Sequence, residues 1–226
     1  VGSWLSGRSE ELVQIRELLA QNEQLKAQVD ELTIQNTRLQ QDRYELTNLR
    51  ELYSLDAQYD EYEKTGARII ARDSGNWFYS FVINKGASDG IAVDMNVMAG
   101  SGLVGRVVDV GPNWAKVKSI IADDSNVSAM VLASADRMVV SGNLKLYASG
   151  VIEFGQLVDS DDVVVEGDKV VTSDISDKYL PGILIGYINT INRDANNLTK
   201  SGYITPAVDF EHLEEVLVIR QLKQNI

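Results

Sequence analysis

Residues 15–53 read IRELLAQNEQLKAQVDELTIQNTRLQQDRYELTNLRELY, and the spacing of their leucines organises the rest of the chain. Leu18, Leu25, Leu32, Leu39 and Leu46 recur every seventh residue, and Tyr53 stands where the next leucine would fall. Four residues after each leucine come Asn22, Val29, Asn36, Arg43 and Arg50, with Ile15 ahead of Leu18. These are the two inward-facing sets of a heptad repeat, the pattern of a leucine zipper. Leucine at every d position suits a parallel two-stranded coil, and Asn22 and Asn36 in the seam penalise other registers and oligomer states. Gln14, Gln21, Gln28, Gln35 and Asp42 precede the second set, so pairing does not rest on opposite charges and a homodimer fits best. Lys26, Thr33 and Gln40 flank the leucines and keep the stripe narrower than a helix packed on its own domain needs. The expected dimer interface is Ile15, Leu18, Asn22, Leu25, Val29, Leu32, Asn36, Leu39 and Leu46. At 1.5 Å per residue the coil extends about 60 Å, which makes it a spacer as well as a clasp.

Upstream, Ser9 supplies an N-cap, and Glu10 and Glu11 complement the helix dipole in the first turn. Residues 1–8 are expected to be a flexible start or an appended scar. The chain begins with Val1 rather than methionine, so a start inside a longer protein, with a membrane anchor upstream, is expected. Downstream, no proline or glycine interrupts the helix before Gly66. Arg43 and Arg50 weaken the seam, and Leu49, Leu52, Tyr53, Leu55, Tyr59 and Tyr62 widen the apolar face. The coiled-coil helix is therefore assigned to 9–62, with its last part forming a joint onto a folded body.

Beyond Gly66 the apolar period changes to two. Candidate strands are Ala67 to Arg72, Trp77 to Asn84, Asn96 to Ala99, Leu103 to Val110, Ala115 to Ile121 and Val127 to Ala133. The second half gives Met138 to Ser141, Leu144 to Phe154, Lys169 to Ser173, Leu184 to Asn192, Ser201 to Thr205 and Glu215 to Leu222. Turn signals such as Asp89-Gly90 and Gly111-Pro112-Asn113 punctuate them. An internal similarity divides the set. Asn96-Val97-Met98 followed by Leu103-Val104-Gly105-Arg106-Val107 resembles Lys169-Val170-Val171 followed by Leu184-Ile185-Gly186-Tyr187-Ile188. Glycine at the third position of a strand marks a bulge or tight bend, as a small barrel needs at its corners. The expectation is a mainly β chain with a long N-terminal α-helix: a coiled coil followed by two six-stranded β-barrels of chymotrypsin-like type. The barrels are assigned to 66–133 and 134–226, with the last strand closing the second or returning to the first.

Bulk properties exclude several functions. A net charge of −12 and a pI near 4.5 leave no basic surplus for a nucleic-acid backbone. There is no cysteine, hence no disulfide framework and no thiolate metal ligand. No run of eighteen apolar residues occurs. The lone histidine, His212, comes after Ser74, the reverse of the histidine-first order in two-barrel serine proteases, and no oxyanion motif accompanies them. Asp159, Asp161, Asp162, Glu166 and Asp168 form an acidic loop without calcium-loop spacing. Gly100, Gly102 and Gly105 join strands rather than opening a helix, so they do not cradle phosphate. No catalytic residue, metal site or cofactor is expected. Trp77-Phe78-Tyr79 with Phe81 loads both faces of one strand, which nominates Trp77 and Tyr79 as a partner surface.

Several of these stretches resemble the rod-shape-determining MreC family. They are Ala67-Arg68-Ile69-Ile70-Ala71-Arg72-Asp73 with Asn76-Trp77-Phe78, Ile83-Asn84-Lys85-Gly86 with Asp89-Gly90-Ile91, and Gly102-Leu103-Val104-Gly105-Arg106-Val107. Ser125 to Val131 and the ending Pro206-Ala207-Val208-Asp209-Phe210 with Leu213-Glu214-Glu215-Val216-Leu217-Val218-Ile219 follow in the family's order. Asn143 to Val165 departs from the pattern. The resemblance implies a single-pass bacterial membrane protein whose coil and barrels lie on the extracytoplasmic side. It implies a non-enzymatic scaffold of cell elongation, dimeric and able to form filaments, that recruits or activates peptidoglycan synthases and so maintains cell shape. The implied partners are a class B penicillin-binding transpeptidase, RodA, MreD and MreB. Two other classes stay open from the residues alone: a hydrolase descended from two-barrel proteases, and a periplasmic adaptor, although adaptors place a helical hairpin between barrel halves.

Overall fold

The computed structural model describes residues 2–72, 79–100, 102–159, 162–195 and 198–223, with side chains described from residue 16 onward outside 56–58. The chain divides into two units, Val1–Leu49 and Arg50–Ile226. Helix α1 runs over Gly2–Gln58. It begins upstream of the Ser9 cap, so residues 2–8 are helical rather than a flexible start. An N-cap is worth only about 1 kcal/mol, whereas extending an existing helix adds a hydrogen bond for each residue fixed. At the other end α1 stops at Gln58, short of residue 62, and turn hydrogen bonds from Tyr59 N–H to the Leu55 carbonyl and Tyr62 N–H to the Tyr59 carbonyl finish it. Leu55 and Tyr59 are buried in the second unit's core, and Leu52 and Tyr62 pack against it.

Twelve strands follow, in two closed barrels. The first contains β1 (Lys64–Arg72), β2 (Ser80–Ile83), β3 (Asn96–Ala99), β4 (Gly102–Val110), β5 (Ala115–Ser119) and β12 (Glu215–Ile219). The second contains β6 (Asn126–Val131), β7 (Arg137–Ser141), β8 (Ile152–Leu157), β9 (Lys169–Thr172), β10 (Leu184–Arg193) and β11 (Lys200–Pro206). The circuits are the same. Around the first barrel the order is β12-β1-β2-β5-β4-β3, and around the second β6-β7-β8-β11-β10-β9. β12 thus occupies in the first barrel the place that β6 holds in the second.

This correspondence corrects the barrel boundary at 133/134. β6 does not belong to the first barrel. It forms a hairpin with β7, from Asn126↔Ser141 to Met130↔Arg137, and the boundary would cut through its turn, where Val131 N–H bonds the Asp136 carbonyl. Inward alternation of Val127, Ala129 and Val131 satisfies either barrel, so only the pairing decides. β12 returns to the first barrel, between β1 (Lys64↔Ile219 through Arg68↔Glu215) and β3.

The repeated glycines sit at matching places. Each lies just after a register shift with the preceding strand, between Val97 and Met98 opposite β4 and between Leu184 and Gly186 opposite β9. A second shift follows each, at Val107/Asp109 and Ile188/Thr190. A Cβ on Gly105 would stand 1.9 Å from the Lys118 carbonyl, and one on Gly186 2.2 Å from that of Thr205, so no side chain fits where these strands coil against the next. One element departs from the expected strands. Leu144 to Phe154 is not one strand: Leu144–Tyr147 is a short helix, α2, because the Asn143 side chain accepts from Lys145 N–H and Leu146 N–H and caps it. Only Ile152 onward is β8.

Candidate interaction surfaces

In the first unit, every described side chain from residue 16 to 47 is exposed. Leu18, Leu25, Leu32, Leu39 and Leu46 are between 48% and 67% exposed, and Val29 is 60% exposed. Asn22 and Asn36 are exposed on the same seam, and the Asn36 side-chain carbonyl accepts from Gln40 at 2.8 Å. The side chain of Ile15 lies outside the described residues. A single chain therefore leaves apolar area in water along several helical turns, worth roughly 1.5–3 kcal/mol for each leucine fully buried. No described side chain of this unit covers it.

In the second unit Trp77, with Ser74 and Phe78, lies outside the described residues. Tyr79 is half-buried just before β2. Its hydroxyl donates to Asp124 at 2.9 Å, and Lys118 pairs with the same carboxylate at 2.5 Å while lying 5.6 Å from the Tyr79 ring centroid. The hydrogen bond to Asp124 raises the Tyr79 phenol above its ordinary value, and Lys118 lowers the Asp124 carboxyl. Tyr79 is thus anchored at the joint between the barrels rather than projecting freely.

That joint is built from polar residues that strand patterns did not single out. Asn96 on β3 is 1% exposed; its amide donates to the Lys178 carbonyl at 2.9 Å and accepts from Leu180 N–H at 2.8 Å, tying the first barrel to the β9–β10 loop of the second. Below α1, the Tyr59 hydroxyl accepts from Leu184 N–H at 3.1 Å and the Tyr62 hydroxyl donates to the Pro181 carbonyl at 3.3 Å. Burial raises the Tyr59 phenol, against the lowering effect of the Leu184 bond. Tyr147 of α2 accepts from Phe210 N–H at 3.2 Å, its ring edge-on to Phe210 at 5.5 Å. The signal for Asn96 was a polar residue heading an apolar strand.

The acidic loop is an internal lock. Lys200 on β11 binds Asp159 at 2.6 Å and also reaches Asp162, which Arg193 pairs as well. The Asp159 side chain is fully buried and accepts from Val163 N–H and Val164 N–H at 2.9 and 3.2 Å. Burial pushes the Asp159 carboxyl up, but Lys200 and the two amides outweigh it and hold it below the usual carboxylate range. Asp161 lies outside the described residues. Among the described residues no group of three His, Cys, Asp or Glu side chains is placed to hold a metal ion. His212 is exposed, with its Nδ1 2.7 Å from Asp209, whose carboxylate raises the imidazole above its ordinary value. Among the described residues no helix is long and apolar enough to cross a membrane.

Residues 69–220 match the family model described as rod shape-determining protein MreC, barrel core. The cell shape-determining protein MreC of Listeria monocytogenes is 30% identical, over 97% of this chain and 74% of the relative. A solved MreC structure from the same organism superposes with a TM-score of 0.65 at 30% identity, covering 88% of this chain and 95% of the other. At 14% identity and a TM-score of 0.53, the chain also covers all of an MreC solved in complex with the penicillin-binding protein PBP2 from Helicobacter pylori, over 70% of its own length.

Proposed function

The chain belongs to the MreC family of cell shape-determining proteins, and on that premise we propose that it is a non-enzymatic scaffold of bacterial cell elongation. Two copies pair through α1, and their barrels recruit or activate a penicillin-binding transpeptidase. The observation that carries this reading is the narrow leucine seam, apolar at Leu18, Leu25, Val29, Leu32, Leu39 and Leu46 and exposed in the single chain. Burial against an identical seam would remove that apolar surface from water, and Asn22 facing Asn22 and Asn36 facing Asn36 would fix the register. The transpeptidase half of the reading is supported by the Helicobacter pylori relative, which was solved bound to PBP2. Tyr79, with Trp77 beyond the described residues, is the proposed contact. MreD, RodA and MreB as further partners, attachment through a membrane helix upstream and an extracytoplasmic position follow from family resemblance.

Replacing Leu25 and Leu32 together by glutamate places charge at two successive leucine layers of the seam, on either side of Val29. Sedimentation equilibrium is expected to show a dimer for the parent chain and a monomer for the double variant. An unchanged dimer would remove α1 as the pairing element.

A further inference from the structure

Where the barrels meet, a polar cleft of about 160 Å³ opens between Arg106, Lys118 and Lys178. Its remaining walls come from Asp124, Ser125, Asn126 and Tyr179. The concentration of cations is unusual for a chain of net charge −12. Arg106 on β4 stands directly opposite Lys118 on β5, and like charges in that cross-strand position repel. Each is held by one carboxylate, Arg106 by Asp94 and Lys118 by Asp124. Lys178, from the β9–β10 loop of the second barrel, has no ion-pair partner among the described residues. Three ammonium or guanidinium groups against two carboxylates leave one positive charge in excess.

The floor is prepared for a polar occupant. Tyr179 and Ser125 line the cleft and are buried. The Arg106 and Lys118 side chains keep only 21% and 19% of their exposure, so part of their hydration is already lost. An anion entering such a site interacts at lower effective dielectric than in bulk water, and the planar guanidinium suits two oxygens at once.

We infer that this cleft is an oxyanion site, taking a carboxylate or phosphate group that bridges Arg106 and Lys118 of the first barrel to Lys178 of the second. The bound group completes the pairing that Asp94 and Asp124 leave short by one charge. It also crosses the seam held by Asn96, so occupancy couples the two barrels.

The test is an amide-shift titration of the ¹⁵N-labelled full chain with inorganic phosphate and, separately, with glutarate, at constant ionic strength maintained with sodium chloride. Saturable shifts confined to Ser125, Asn126, Lys178 and Tyr179 are expected, with at least a tenfold loss of affinity in Lys178→Glu. Lys178 is exposed, so this variant should keep the parent melting temperature, and Lys178→Gln should fall between the two. Tighter phosphate binding would assign the site to phosphates, tighter glutarate binding to carboxylates. Linear, unsaturated shifts with both anions, or equal affinities in parent and Lys178→Glu, would overturn the site.

Discussion

The two barrels share one circuit of strands but differ in how the chain supplies it. The second is continuous, from β6 through β11. The first takes five strands from its own stretch and its sixth, β12, from beyond the second barrel. β1 and β12 are paired with Lys64 opposite Ile219, so the first barrel closes only after the whole body has been made. Loop-closure cost grows slowly with length, about 0.6 kcal/mol for each doubling, so this arrangement costs folding rate more than stability. It also locks the second barrel between two segments of the first, which couples the barrels without a larger interface.

The largest effect should come from removing that shared strand. A chain ending at His212 lacks β12 and leaves the ladder edges of β1 and β3 open. Hydrogen–deuterium exchange is expected to show protection lost across β1–β5 and kept across β6–β11. Protection surviving in β1 and β3 would mean that the first barrel does not depend on its distant strand.

A smaller effect separates the barrels by charge. Lys200→Met leaves Asp159 buried in the second barrel without its cation, a loss of about 3–5 kcal/mol at neutral pH. In the parent, the Asp159 carboxyl is held below its ordinary value, so its stabilisation is present above the carboxylate range and is lost as pH falls through the lowered value. Without Lys200 the carboxyl should rise, and protonation relieves the buried charge. Urea unfolding followed by second-barrel amides should therefore show a gap between parent and variant that is wide at pH 7 and narrows toward about pH 4. A gap independent of pH would mean that Lys200 acts through packing alone.

The mildest change probes the joint. Asn96→Ala leaves the Lys178 carbonyl and the Leu180 N–H without their partner, at about 1–3 kcal/mol. Calorimetry of the parent should give one body transition, and the variant two partly separated ones. A single transition shifted as a whole would place the coupling in β12 rather than in Asn96.

Much of this architecture was legible in residue order. The seven-residue leucine spacing indicated one long helix, and period-two alternation with turn residues indicated twelve short strands. Gly105 and Gly186 marked equivalent corners because a close strand approach excludes any Cβ. The Asn143 cap was equally local, yet the apolar residues after it masked α2 as a strand. The interaction surfaces were less legible. Exposure of the leucine seam followed from its narrowness, but Tyr79 was nominated for its aromatic ring, and only the fold ties it to Asp124 and Lys118. Arg106 lies in a family stretch and Lys118 faces it from the next strand, but Lys178 comes from the second barrel, so no local spacing brings the three together.

From residue order alone came the helix, the strands and the duplicated corner, because periodicity records which side of an element avoids water. Tertiary structure alone decided that β6 opens the second barrel, that β12 closes the first, and that three cations meet in one cleft. Alternation states that a strand has an inward face, but not which ladder it joins. That choice rests on hydrogen-bond partners, such as Lys64 with Ile219, brought together only when the barrels close.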